Sequence, residues 1–152
     1  MKQITTMDLD LAKQIFQIHG ADAEGNVIIN RKLRRAEVLA FFEKTAPCLV
    51  GIEACGSAHY WAREIAALGH DVRMMPPAYV KPFVKRGKTD AADAEAISEA
   101  VARKSMRFVP IKSAEQQAAS MVLKTRALLV SQKTQAINAL RAHRGSHRGQ
   151  RS

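Results

Sequence analysis

The chain has 152 residues, enough for one domain with a proper core and little beyond it. It carries 24 Lys+Arg against 14 Asp+Glu, a formal net charge of +10, and so calls for a polyanionic partner, nucleic acid first among them. With 5% aromatic residues phosphate contact is expected to outweigh base stacking, and with no apolar run of membrane-spanning length and no signal-peptide core the chain is expected in the cytoplasm, without a membrane partner.

Residues 3–10 read as a strand on Ile4, Met7 and Leu9, and residues 12–20 as a second run on Ile15 and Phe16. Ala21-Asp-Ala-Glu-Gly is turn chemistry, and residues 26–30 form a third strand, so an antiparallel meander is predicted. The period then changes: Val38, Leu39, Phe41 and Phe42 predict a helix over 33–45. Cys48 to Glu53 is a nearly unbroken apolar run ending in a carboxylate, the pattern of a strand covered on both faces. Trp61, Ile65 and Leu68 at i, i+4 and i+7 predict a helix over 57–68 with Ser57 as its cap. His70 to Met75 is a fifth strand, stopped by Pro76 and Pro77. Cys48 and Cys55 have no metal-ligand spacing and are expected to be reduced.

A helix is predicted from Thr89 to Lys104, with Ala94, Ile97 and Val101 facing inward. Residues 106–111 are short and extended. A long helix then starts at Ser113, its stripe running through Ala119, Leu123, Ala127, Val130, Ile137 and Leu140. It is longer than a typical globular helix, with a polar content suited to projecting and packing on a partner; it either packs on its own domain or forms an interface with another subunit. Residues 143–152 lose the apolar pattern and read as a disordered basic tail. Three strands, then helix, strand, helix, strand, helix predict an α/β fold of RNase H-like type. Its mixed five-stranded sheet would be flanked by helices over residues 1–112, with the long helix at 113–142.

Four carboxylates carry the chemistry. Asp10 closes the first strand and Glu53 the fourth; if those strands lie side by side and parallel, both emerge at one sheet edge. Asp90 and Asp93, three residues apart at a helix start, share a face and can reach the same place. That pair also fits an ordinary helix N-terminus, capped by Thr89 and complementing the helix dipole. Glu53 taken alone fits a solvated strand end. Gathered together, the four would repel strongly without divalent cations between them, and an oxygen-only set favours Mg²⁺ or Mn²⁺. Two ions about 4 Å apart would clamp a phosphodiester for in-line displacement. Asp8 shares strand parity with Asp10, but Asp10 is the preferred ligand because it lies at the strand end. Lys81, Lys85, Arg86 and Lys88 precede the acidic pair and, with Lys13, are candidate phosphate contacts; the alternative is a solvated charge run. His143 and His147 have i, i+4 spacing but stand in a glycine-bearing tail where a helix is not expected.

Three blocks resemble a known family. Asp10-Leu-Ala-Lys-Gln-Ile-Phe-Gln-Ile-His-Gly, Gly51-Ile-Glu-Ala-Cys-Gly-Ser-Ala-His-Tyr-Trp-Ala-Arg and Lys88-Thr-Asp-Ala-Ala-Asp-Ala are similar, in order and spacing, to blocks of the DEDD transposases of bacterial insertion sequences, the IS one-ten family. Leu68-Gly-His-Asp-Val-Arg-Met-Met-Pro-Pro resembles the segment between the second and third. The resemblance covers residues 4–140. It implies a RuvC-like N-terminal domain in which Asp10, Glu53, Asp90 and Asp93 are the DEDD metal ligands for Mg²⁺ or Mn²⁺. It also implies DNA strand cleavage and transfer in a nucleoid-associated bacterial protein, a non-coding guide RNA, and homo-oligomers, for which the long helix is the natural interface. The family carries a second, C-terminal domain with an essential serine, so a truncated or frameshifted copy is expected. A stand-alone RuvC-type junction nuclease and a non-catalytic nucleic-acid-binding remnant are the competing readings. Asp8 stands where the family usually has a small neutral residue.

Overall fold

A computed structural model describes residues 3–80, 101, 103 and 105–148. The chain divides into two compact units, Met1–Ile111 and Lys112–Ser152, taken separately below.

The first unit is built on a five-stranded sheet: β1 (Thr6–Asp10), β2 (Ile15–Ala21), β3 (Val27–Arg34), β4 (Leu49–Glu53) and β5 (Asp71–Met75). Their order across the sheet is β3-β2-β1-β4-β5. The first three form the antiparallel meander, whereas β4 and β5 run parallel to β1. That mixed order is the RNase H-like arrangement. The β2–β3 turn is organised by Asp22, whose Oδ1 accepts the Asn26 backbone N–H at 2.7 Å and the Glu24 N–H at 3.2 Å. Gly25 takes φ +83° there, which a side chain would resist.

β3 is longer than its apolar content suggests, because pairing with β2 carries it to Arg34 (Ile15 opposite Arg34). Leu33 therefore enters the core from a strand. A short 3-10 turn (Arg35–Glu37) precedes α1 (Val38–Glu43), so the helix begins later than the predicted residue 33. α2 (Ala58–Ala67) follows β4 and buries Ala58, Trp61, Ala62 and Ile65. Ser57 occupies its N-cap position, but its hydroxyl makes no cap hydrogen bond and lies 3.5 Å from Cys55 Sγ, correcting the expected cap. The Ser57 backbone already sits in the helical region (φ −91°, ψ −14°), not the extended one a capping side chain requires. α3 (Pro77–Val80) starts directly after β5, with Pro77 at a first helical position where its missing N–H costs nothing.

One face of the sheet presents Met7, Leu9, Phe16, Ile18, Val50, Ile52 and Met74 to Val38 and Phe42 of α1 and to the buried face of α2. Fully burying each such side chain contributes about 1.5–3 kcal/mol. The other face carries a smaller cluster of Met75 and Val101, with Leu49, Met106 and Phe108 packed on it. The extended segment 106–111 reaches the sheet by a single antiparallel bridge, where Val109 N–H donates to Met74 O at 2.7 Å. His70 locks the core laterally: Nδ1 accepts from Cys48 N–H at 3.3 Å and Nε2–H donates to Phe42 O at 3.0 Å.

The second unit is α4 (Ala114–Arg148). Ser113 and Gln116 form a capping box, each side chain accepting from the other's backbone N–H at 3.1 and 3.0 Å. The helix continues past residue 142, where a tail was expected, to Arg148. Arg141, His143 and Arg144 sit in its last turns, where cations complement the helix dipole. Met121, Val122, Leu128, Leu129 and Leu140 are exposed along it. No helix among the described residues is long and apolar enough to cross a membrane.

Candidate active site

The parallel pairing of β1 with β4 sets the geometry. Thr6, Met7, Asp8 and Leu9 stand opposite Leu49, Val50, Gly51 and Ile52. Asp10 and Glu53 are the next residues on each strand, so the two carboxylates end neighbouring strands in phase. Ala54 N–H donates to Met75 O at 2.8 Å, which keeps β4 paired with β5 through Glu53.

Parity then decides the face. Leu9 and Ile52 are fully buried on the side covered by α1 and α2, so Asp10 and Glu53 belong to the opposite face. Asp10 is exposed and Glu53 half-buried. Adjacent strands lie about 4.8 Å apart, and side chains directly opposite have Cβ atoms about 5 Å apart. One cation with oxygen ligands at about 2.1 Å fits between such a pair. The donors are carboxylate oxygens alone, which suits Mg²⁺ or Mn²⁺.

Asp8 lies one step inward on the same face, 2% exposed, with Gly51 beside it on β4 and His19 beside it on β2. Its burial contrasts with the open position of Asp10. His19 (6% exposed), Gln17 opposite Asp10 and Lys32 opposite Gln17 complete the row of polar side chains on this face. The sequence reading did not single out these three; strand parity combined with the hairpin register is the signal that finds them. Lys13 is exposed in the β1–β2 connection, at the same sheet end as Asp10.

Asp90, Asp93, Lys81, Lys85, Arg86 and Lys88 lie outside the described residues. Among the described residues no group of three or more His, Cys, Asp and Glu is placed to hold a metal, so the described part of the expected set is the Asp10–Glu53 pair. Both cysteines are free, Cys48 buried and Cys55 exposed.

A family model for DEDD transposases of the IS110 type, described as a transposase, matches residues 8–143. The chain is 54% identical over 138 residues to a probable family 20 transposase of Pseudomonas aeruginosa, covering 91% of this chain and 41% of that protein. It is 48% identical over 141 residues to the putative transposase y4pF/y4sB of Sinorhizobium fredii, covering 93% and 36%. It thus spans about two fifths of the length of these curated relatives. Among solved structures, T. thermophilus RuvC in complex with a Holliday junction substrate superposes with a TM-score of 0.44 at 12% identity, over 63% of this chain and 90% of that one. At that score the likeness adds nothing to what the strand order establishes.

Proposed function

The chain belongs to the IS110-type DEDD transposase family, and from that premise we propose that it supplies the phosphodiester-cleaving domain of a DNA strand-exchange reaction. The observation that carries this reading is the in-phase ending of Asp10 and Glu53 on adjacent parallel strands, on the face not covered by α1 and α2.

Asp10 and Glu53, with Asp90 and Asp93 from the third block, would hold two Mg²⁺ or Mn²⁺ ions. Such ions would supply activation of the attacking oxygen and stabilisation of the leaving one. The chain's own side chains divide the remaining work. Asp10 is exposed at its strand end, where it would face a cation and not the phosphate itself; Glu53 is half-buried, on a strand held by the β4–β5 pairing. Lys13, exposed on the β1–β2 connection at the same sheet end, and Lys81, Lys85, Arg86 and Lys88 are assigned to backbone phosphates, fixing register and not sequence. DNA is the proposed substrate, a non-coding RNA the proposed guide, and α4 the proposed contact between copies of the chain. α4 suits that role because a lone helix gains most of its stability by packing an apolar face, and this one exposes Val122, Leu129 and Leu140.

The test is Mg²⁺- or Mn²⁺-dependent cleavage of branched and linear DNA, with Asp10→Ala and Asp90→Ala. Cleavage abolished by both substitutions is expected. DNA or RNA binding that weakens with salt and survives both substitutions, without cleavage by the unmodified chain, would replace the nuclease with a nucleic-acid-binding module.

A further inference from the structure

A second feature lies at the same end of the sheet, independent of the carboxylates. Gln14 and Ile15 begin β2, which pairs with the end of β1 (Gln17 opposite Asp10). Arg34 ends β3 opposite Ile15. α2 starts just after the segment leaving Glu53 and brings Tyr60 and Trp61 to the same place. Between these elements is a cavity of about 830 Å³, lined by Gln14, Ile15, Arg34, Arg35, Tyr60 and Trp61 among others, with no carboxylate in its wall.

Its chemistry is that of an anion site with an aromatic wall. Arg34 and Arg35 are both exposed. The Arg35 guanidinium lies 5.2 Å from the Trp61 ring centroid and 5.9 Å from that of Phe16. Stacking of this kind fixes the plane of a guanidinium and leaves its N–H edge for a phosphate. Glu37, the nearest acid in sequence, has its carboxylate accepting the Arg34 backbone N–H at 2.8 Å. Trp61 is 4% exposed, and its ring adds an aromatic wall without negative charge. Tyr60 is 40% exposed and braced edge-on against Trp61, with centroids 5.2 Å apart at 81°, leaving ring surface open. A charged edge strand also deters sheet-to-sheet pairing, which accounts for Arg31 and Lys32 on β3. It does not account for Arg35, which lies beyond the strand and is fixed on two rings.

We propose that this cavity takes one unpaired nucleotide of a polynucleotide strand, its phosphate between Arg34 and Arg35 and its base against Tyr60. The inference rests on the nucleic-acid reading above, and gives the strand an anchor at the same end of the sheet as the carboxylates, on the side of α1 and α2. A base locked in a duplex cannot present its face to Tyr60, so the site selects unpaired strands.

The test uses the full chain without divalent ions, measuring fluorescence anisotropy with a labelled single-stranded DNA, an RNA of the same sequence, and the DNA duplex. Tyr60→Ala is expected to weaken both unpaired strands by about tenfold and to leave the duplex unchanged, with Tyr60→Phe retaining wild-type binding. Arg34→Gln is expected to weaken all three and to lower the slope of log affinity against log salt by about one. Equal losses for duplex and unpaired strands in Tyr60→Ala, or an unchanged salt slope in Arg34→Gln, would overturn the proposal. Thermal melts of each variant separate loss of the site from loss of the fold. Binding with these losses but no metal-dependent cleavage would sink the nuclease reading and leave this site standing.

Discussion

Asp10 and Glu53 sit side by side because they follow Leu9 and Ile52, a register pair of the parallel β1 and β4 strands. The same two strands bury Leu9 and Ile52 beneath α1 and α2, so the core that anchors the carboxylates is made by their immediate neighbours. Truncating Ile52 to alanine is therefore expected to cost about 2–5 kcal/mol in a denaturant titration. Asp10→Asn, at an exposed strand end, should stay within about 0.5 kcal/mol of the wild type. A large loss of stability in Asp10→Asn would mean that this carboxylate holds the fold and not a ligand.

The two cysteines should separate cleanly by reactivity. Burial pushes the Cys48 thiol up to about 11 from 9.0, whereas Cys55 is exposed. At pH 8 the Cys48 thiolate is then about 100-fold scarcer than that of an unperturbed thiol, before its enclosure is counted. Alkylation of the native protein at pH 8 should modify Cys55 alone, and alkylation after unfolding should modify both. The sign of the linked stability follows: above pH 9 the unfolded chain gives up a proton that the folded chain retains. Stability should fall as pH rises from 9 toward 11, and Cys48→Ala should remove that part of the decline.

His70 holds two backbone groups at once, accepting from Cys48 N–H and donating to Phe42 O. Its ring also packs edge-on to Phe42, with centroids 5.2 Å apart. His70→Ala removes the acceptor of the buried Cys48 N–H and leaves Phe42 O to the Thr45 N–H that already reaches it at 3.1 Å, and is expected to cost about 1–3 kcal/mol, read as a lower denaturant midpoint. A change below about 0.5 kcal/mol would show that water replaces both bonds.

The β2–β3 turn depends on one side chain. Asp22 Oδ1 meets the backbone N–H groups of Glu24 and Asn26, so Asp22→Ala should cost about 1–3 kcal/mol. Asp22→Asn, which keeps an acceptor oxygen, should recover much of it. Equal losses for the two substitutions would place the contribution in the charge and not in the bonds.

The oligomer proposed for α4 has a direct readout. Leu129 is 59% exposed on α4. Leu129→Glu should shift the sedimentation distribution toward the monomer by weakening self-association about tenfold or more. A wild-type chain that is monomeric at every concentration would remove the proposal.

The sequence makes the sheet and the Asp10–Glu53 edge legible because apolar runs and terminal carboxylates are local features. Phe16, Val50 and Ile52 announce their strands, and the element order is enough to set β1 beside β4. What escapes is set by partners distant in sequence. Leu33 reads as helical by period, yet its pairing with Phe16 keeps it in β3. Ser57 has the right residue type for a cap, but its backbone is already helical. His19, Gln17 and Lys32 join the Asp10 face only through the hairpin register, and the Arg34–Arg35–Tyr60 cavity gathers residues from two strands, the 3-10 turn and two helices. The basic end of α4 lacks apolar period, and the helix nonetheless continues to Arg148.

The most direct measurement is Mn²⁺ binding by the full chain, followed by electron paramagnetic resonance, for the wild type, Asp10→Asn and Glu53→Gln. If the two carboxylates share a divalent cation, each substitution weakens Mn²⁺ binding by about tenfold or more while the melting temperature stays near that of the wild type. Three superimposable titrations would contradict the account, because the strand ends that bring Asp10 and Glu53 together would then hold no metal.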